Sequence, residues 1–366
     1  MTRVTVFGAG LVGRAIVHDL CREYDVTAVD RSSATLAALN PPAPVRTRVV
    51  DLQTPGAIPD AAGQADLVVS AVPGHIGCQT LEALIRAGRN VVDISFFPEE
   101  SLELDQLARD HGVTAAVDCG VAPGMSHMLA GAVGREMTID RYECLVGGLP
   151  KARTSFAQYK APFSPRDVIE EYLRPARYVS GGRLVTMPAL SDLETVEIDG
   201  VGTLEAFDTD GLRTLLRTMP IPEMREKTLR YPGHARVIQA LIDEGAFLPA
   251  RLDETCARLF PEWALQPGDE EFTVMRVTMT GRRDGTGRKV VYSLYDETDT
   301  ATGLTSMART TGFTATAVAH LVLSGRLARP GVWPPERVGM EPYCLDLVLA
   351  DLAARGVVYR RTDSLL

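Results

Sequence analysis

The chain has 366 residues, 45% hydrophobic and 23% charged, the proportions of a folded globular protein of roughly two domains. Its 38 Lys and Arg against 47 Asp and Glu leave a formal charge of −9, which offers no electrostatic footprint for nucleic acid or an anionic membrane. The most apolar stretch, 67–81, is interrupted by Pro73, Gly74, His75 and Gly77, so no membrane span is expected. The N-terminus enters a strand pattern without the apolar core of a signal peptide. Six scattered cysteines show no C-x-x-C or His/Cys ligand spacing; no metal site or disulfide framework is expected, and a cytoplasmic setting fits.

Arg3 to Phe7 is a β-branched run that flows into Gly8-Ala-Gly10-Leu-Val-Gly13, and Ala15, Ile16, Val17 and Leu20 then recur at helical spacing. A G-x-G-x-x-G between strand and helix predicts a dinucleotide fingerprint. Gly8 permits the tight turn, Gly10 lets the backbone (with Leu11 and Val12) approach a pyrophosphate, and Gly13 lets helix and strand pack closely. The helix N-terminus presents N–H groups and a positive dipole end to the phosphates. A second strand, Asp25 to Asp30, ends in an acid about 20 residues on, placed to accept from both ribose hydroxyls. Asp30 favours NAD, because a 2′-phosphate would meet its charge; Arg31 beside it could hold that phosphate, so NADP is the second reading.

Strand and helix keep alternating: strands at Val45 to Val50, Ala65 to Val72, Asn90 to Asp93 and Val113 to Val117, with helices at Thr80 to Ala87 and Leu102 to Asp110. In an open parallel sheet, ligands lie beyond the strand carboxyl ends. That rule assigns Asp51 and Leu52 to the adenine and Ala71, Val72, Pro73 and His75 to the cofactor loop, and puts Asp93 on the same edge. Beyond Gly124 the alternation lapses. Tyr142 to Val146 reads as a strand closed by a Gly147-Gly148-Leu149-Pro150 turn. Pro165 to Tyr172 reads as a helix, and Phe272 to Arg282 with Lys289 to Asp296 as a long hairpin. Thr310 to Ser324 and Tyr343 to Arg355 read as helices, the last stopped by Gly356. The expected fold is therefore α/β: a Rossmann-type doubly wound parallel sheet (1–124, with 304–366 packing back on it) plus a second α+β domain with a mainly antiparallel sheet (125–303).

Four further blocks carry a resemblance: Val91-Val-Asp-Ile-Ser95, Gly120-Val-Ala-Pro-Gly-Met-Ser-His127, Thr209-Asp-Gly-Leu-Arg-Thr214 and Thr228-Leu-Arg-Tyr-Pro-Gly-His234. With them the chain resembles the saccharopine dehydrogenase/reductase-like superfamily, and within it most closely the L-lysine 6-dehydrogenase group, whose shorter length it shares. The resemblance implies a nicotinamide-dependent oxidoreductase acting on a C–N bond, a second domain serving substrate and dimer contact, and a homodimer. The best single reading is NAD-dependent oxidation of the ε-amine of L-lysine to 2-aminoadipate 6-semialdehyde and ammonia. Saccharopine chemistry, another small amine, or a non-catalytic NAD sensor are the alternatives.

Such a reaction needs a neutral amine, whose ordinary pKa is ~10.4, a proton acceptor, and fixed charges for the carboxylate. Asp93 and His234 are equal candidates for the acceptor, and Lys160 is a third catalytic candidate; His234 reads equally as ordering its loop through a backbone hydrogen bond, and Asp93 as an α-ammonium partner or a cap for the next segment. Arg213 and Arg230 are candidate carboxylate forks. Tyr159 and Lys160 precede an aromatic-proline loop that could form a lid. Lys227 reads first as a solvent-exposed charge and second as a substrate contact. Cys119 and Gly120 are placed near the nicotinamide, with a small buried thiol as the plainer reading of Cys119.

Overall fold

The computed structural model describes all 366 residues, Met1–Leu366. They form two compact units: Met1–Arg135 with Ala308–Val357, and Glu136–Met307 with Val358–Leu366.

In the first unit the strands are β1 (Arg3–Phe7), β2 (Asp25–Asp30), β3 (Arg46–Val49), β4 (Leu67–Ser70), β5 (Val91–Asp93), β6 (Thr114–Ala116) and, much later in the chain, β15 (Gly331–Trp333). They run parallel in the order β15-β6-β5-β4-β1-β2-β3. The order reverses between β1 and β4, and a sheet of this kind binds ligands at that switch point. Val4, Val6, Phe7, Val68 and Val69 are almost fully buried, as strands covered on both faces require. The helix Leu11–Leu20 follows β1, and Gly8, at φ +86°, makes the turn between them. A Cβ on Gly8 would stand 2.4 Å from the Ala71 carbonyl oxygen, and one on Gly13 2.0 Å from that of Gly8. Late chain packs back through a buried carboxylate: Asp19 accepts from Thr316 Oγ and from Arg355 Nε, each at 2.6 Å.

The second unit holds β7 (Thr138–Pro150), β8 (Ala176–Ser180), β9 (Arg183–Met187), β10 (Glu194–Ile198), β11 (Gly202–Asp208), β12 (Glu223–Arg230), β13 (Glu271–Arg283), β14 (Thr286–Glu297) and β16 (Tyr359–Leu365). Its sheet runs β10-β11-β12-β7-β13-β14-β16, with β8 on β12 and β9 on β8. Every pairing is antiparallel except β12 with β7. The helices Pro165–Leu173, His234–Asp243 and Leu252–Trp263 share an aromatic core with Tyr159, Tyr172, Phe207 and Trp263.

Three expectations change. The Gly147-Gly148 pair makes no turn: β7 runs straight through it to Pro150. A Cβ on Gly147 would lie 2.5 Å from the Leu229 carbonyl oxygen, and one on Gly148 2.7 Å from Met307 Cε, so close packing explains both glycines. The helix Met125–Glu136 falls within the first unit through Arg135, beyond the expected exit at 124. The last nine residues, Val358–Leu366, belong to the second unit and not the first, because β16 pairs with β14 from Tyr359 to Leu365. No helix is long and apolar enough to cross a membrane.

Candidate functional site: a dinucleotide cradle and a buried polar network

Each unit carries one part of the candidate chemistry. In the first, the carboxyl ends of the parallel strands place Gly8, Asp30, Ala71 and Asp93 along one edge. Asp30 fastens this edge: its Oδ2 accepts from Ala9 N at 2.9 Å and its Oδ1 from Ser32 N at 2.8 Å. Each oxygen keeps a second lone pair for a ribose hydroxyl. Gly10 is the informative glycine. Its φ of −68° suits any residue, and a Cβ there would meet nothing within 4 Å. Neither backbone strain nor packing explains it, and it caps the helix without a side-chain bond. What remains is approach by a ligand, so these residues fit a dinucleotide pyrophosphate. Leu11 and Val12 are half-buried, and Arg31, Asp51, Pro73 and His75 are exposed.

Other expected cofactor neighbours are enclosed. Leu52 and Val72 belong to the hydrophobic core that contains Val29 and Ile58. Cys119 is fully buried, its thiol donating to the Val117 carbonyl oxygen at 3.3 Å, and burial pushes it well above the usual thiol range. Gly120 is buried too. Asp93 is also fully buried, and Ser95 donates to it from Oγ (2.8 Å) and from N (3.0 Å). Burial pushes its carboxyl up to about 7, against the hydroxyls of Ser95 and Ser70 and with the Asp118 charge.

In the second unit, Arg230 ends β12 beneath the helix Pro165–Leu173. Its guanidinium donates to Tyr172 Oη (3.2 Å), the Leu229 carbonyl oxygen (2.9 Å) and Glu171 Oε2 (3.0 Å), and lies 4.5 Å from the Tyr159 ring centroid. Tyr172 in turn donates to His234 Nε2 at 2.9 Å, and His234 Nδ1–H donates to the Ala157 carbonyl oxygen at 2.9 Å. Because that carbonyl only accepts, the tautomer is fixed. On the far side of Arg230, Glu171 Oε1 lies 2.6 Å from Thr228 Oγ, which stands 2.9 Å from Thr209 Oγ, itself 2.7 Å from Glu226 Oε2.

This geometry corrects several expectations. His234 is not a base near its ordinary pKa: both ring nitrogens are engaged, and burial with the Arg230 charge lowers it to about 3. Tyr159 is core rather than lid, 1% exposed. Lys160 donates to the Ala264 carbonyl oxygen at 3.0 Å and pairs with Asp269 at 3.7 Å. Lys227 is not a solvent-exposed charge: it is 2% exposed, and its ammonium meets Asp192 O, Asp192 Oδ2 and Glu194 Oε1 at 2.6–2.9 Å. Arg230 is an internal organiser, most of its donors already engaged, and not an open fork. Arg213 is buried in the left-handed region at φ +46°, a conformation a non-glycine side chain holds only when its surroundings impose it.

Residues 4–116 match the family model for the saccharopine dehydrogenase NADP binding domain, and 120–357 that for the saccharopine dehydrogenase C-terminal domain. The chain belongs to the saccharopine dehydrogenase family. This family member is 26% identical over 287 residues to the L-glutamate-forming, NADP(+) saccharopine dehydrogenase of Schizosaccharomyces pombe, covering 74% of this chain and 63% of the relative. It is 24% identical over 269 residues to the mitochondrial alpha-aminoadipic semialdehyde synthase of Mus musculus, covering 66% of this chain and 28% of the relative. It thus spans less than two thirds of either relative. The apo L-Glu-forming saccharopine dehydrogenase of Saccharomyces cerevisiae superposes over 100% of both chains with a TM-score of 0.81 at 19% identity, which shows the shared fold.

The sequence offers no signal for a site role of Tyr172, Glu171 or Glu226, and Thr209 and Thr228 enter it only as the first residues of two motif blocks. Their partners lie 15–62 positions away along the chain, and only the sheet with the helix Pro165–Leu173 packed on it brings them together. His234→Ala is expected to destabilise the fold by about 1–3 kcal/mol, by stranding the Tyr172 hydroxyl and the Ala157 carbonyl. It should leave both limbs of the pH–rate profile in place; loss of a limb would restore His234 as a base.

Proposed function

We propose that this protein is a nicotinamide-dependent oxidoreductase acting on the C–N bond of an amino acid, with NAD as the first-choice cofactor and the ε-amine of L-lysine as the first-choice substrate. The observation that carries the reading is Gly10, a glycine nothing in the protein requires, at the helix N-terminus beside Asp30. Bound there, the nicotinamide supplies a hydride acceptor for the carbon of the C–N bond. The turn Gly8 to Gly13 holds the pyrophosphate, and Asp30 accepts from the ribose hydroxyls while it pins Ala9. Arg213 is assigned the substrate carboxylate. Of the two proton-acceptor candidates, His234 has both ring nitrogens engaged, which leaves Asp93, with Ser95 Oγ as its hydrogen-bond partner; Lys160, the third catalytic candidate, is also engaged elsewhere.

Lysine is preferred on the resemblance, and the further carboxylates of saccharopine would need cations that Arg230, Lys227 and Lys160, committed to internal acceptors, do not offer. Saccharopine is the second reading, favoured by the names of the S. pombe and S. cerevisiae relatives. Product analysis separates the two. Lysine oxidation releases ammonia in step with cofactor reduction; saccharopine oxidation releases an amino acid instead. Asp30→Asn tests the cofactor assignment. It is expected to weaken NAD roughly tenfold, the loss of one charge-assisted hydrogen bond, and to narrow the preference over NADP. Unchanged cofactor kinetics would remove Asp30 from the ribose.

A further inference from the structure

The second unit holds a buried hydrogen-bond chain with more contacts than its hydroxyls can fill. Glu226 Oε2, Thr209 Oγ, Thr228 Oγ and Glu171 Oε1 follow one another at 2.7, 2.9 and 2.6 Å. Three contacts join two carboxyls through two hydroxyls, and each hydroxyl donates one hydrogen. Two hydrogens fill two contacts, so the third requires a proton on one carboxyl. Glu171 is disfavoured, because Arg230 Nη2 donates to its other oxygen at 3.0 Å and holds it ionised. Glu226 is 6% exposed, and the charges that act on it most, Glu171 and Asp210, are both negative. Asp210 is clamped by Arg177 at 2.7 and 3.0 Å. The chain neighbours of Glu226 are turned to other acids: Arg225 to Asp192 and Asp208, Lys227 to Asp192 and Glu194. Burial accordingly pushes Glu226 up to about 8, opposed by the Thr209 and Gly211 hydrogen bonds.

We infer that Glu226 is held as the neutral acid and that its proton makes it the positioning residue for the loop 209–214, whose Arg213 is assigned the substrate carboxylate; only that last clause rests on the proposed function. With the proton on Glu226, its O–H donates to Thr209 Oγ, Thr209 to Thr228 Oγ, and Thr228 to Glu171. Gly211 N–H donates to Glu226 Oε2 at 3.1 Å, which ties the loop backbone to the same carboxyl. Gly211 is a glycine for this reason: a Cβ there would stand 2.4 Å from the Glu226 carboxyl carbon. Two residues on, Arg213 sits in its left-handed conformation between the buried Leu212 and Thr214. Loss of the proton removes one hydrogen from the chain and sets a third negative charge beside Glu171 and Asp210. The anchor then loosens where Arg213 depends on it.

The test uses the full-length protein, with no substrate or cofactor, in wild-type, Glu226→Gln and Glu226→Ala forms. Infrared spectra at neutral pH should show a protonated-carboxyl C=O stretch in wild type that is missing from Glu226→Gln. Amide exchange, corrected for its intrinsic pH dependence, should show protection of 209–214 falling roughly tenfold per pH unit between the ordinary Glu pKa of the opened loop, ~4.3, and the raised value of the closed one, and levelling off above it. Glu226→Gln does not titrate and should hold protection flat with pH, though below the wild-type plateau, because its amide nitrogen cannot both donate to Thr209 and accept from Gly211 as Oε2 does; Glu226→Ala should lower it further at every pH. Identical infrared difference spectra for wild type and Glu226→Gln would overturn the neutral acid. The same pH response of the loop in both would overturn the positioning role. Neither readout needs turnover, so a failure of the proposed reaction stays distinct from a failure here.

Discussion

Gly10→Ala is expected to fold with a melting temperature within a few degrees of wild type and to bind its nicotinamide cofactor roughly a hundredfold more weakly, a loss of about 3 kcal/mol. The added methyl meets no protein atom within 4 Å and asks for no unusual backbone angle, so the fold has no reason to suffer. It does fill the space through which the helix N-terminus meets a pyrophosphate. Gly8→Ala and Gly13→Ala should behave in the opposite way. Their Cβ atoms would press 2.4 and 2.0 Å from backbone oxygens, and Gly8 lies at φ +86° besides. Both should be destabilised by about 3 kcal/mol or more before any ligand is considered. Thermal melts beside cofactor titration by calorimetry separate the two classes. A Gly10→Ala protein with wild-type cofactor affinity would remove the ligand from this turn.

Arg230→Ala should produce the largest loss of stability from any single change in the second unit, about 3–5 kcal/mol. Its removal leaves the Glu171 carboxylate without its cation and takes a donor from Tyr172 Oη. It also takes the guanidinium off the Tyr159 ring. Tyr172→Phe deletes one hydroxyl and should cost about 1 kcal/mol. Urea denaturation measures both. The contrast with a substrate fork is direct: an Arg230→Ala protein with wild-type stability and a raised KM alone would return this side chain to the substrate.

The first unit was legible because its signals are local. Valine-rich runs, a glycine turn and an acid at the end of the next strand all lie within Arg3 to Asp30, and the structure places strands and helix there. The second unit was less so. Gly147 and Gly148 look like a turn by composition, but they lie where Leu229, Met307 and Pro162 crowd the sheet, which only the fold reveals. β16 left no alternation to read, since most of its side chains are exposed and its role is backbone pairing at the sheet edge. In the network, the motif points to Arg230 as a carboxylate fork and to His234 as either base or loop organiser, because a motif conveys position and not hydrogen-bond partners. Their partners Tyr172 and Glu171 sit on a helix some 60 residues earlier, where the sequence shows only amphipathic spacing.

The central claim is that the glycine cradle serves hydride transfer from an amino acid. Its most direct test follows nicotinamide reduction by near-ultraviolet absorbance. Full-length protein is given NAD or NADP with L-lysine, saccharopine or L-ornithine across neutral to alkaline pH, with Gly10→Ala in parallel. The account predicts turnover with one of these amino acids, rising with pH as the substrate amine loses its proton, and lost in Gly10→Ala at wild-type cofactor concentrations. Cofactor binding with no turnover for any of them, or turnover indifferent to Gly10, would contradict it.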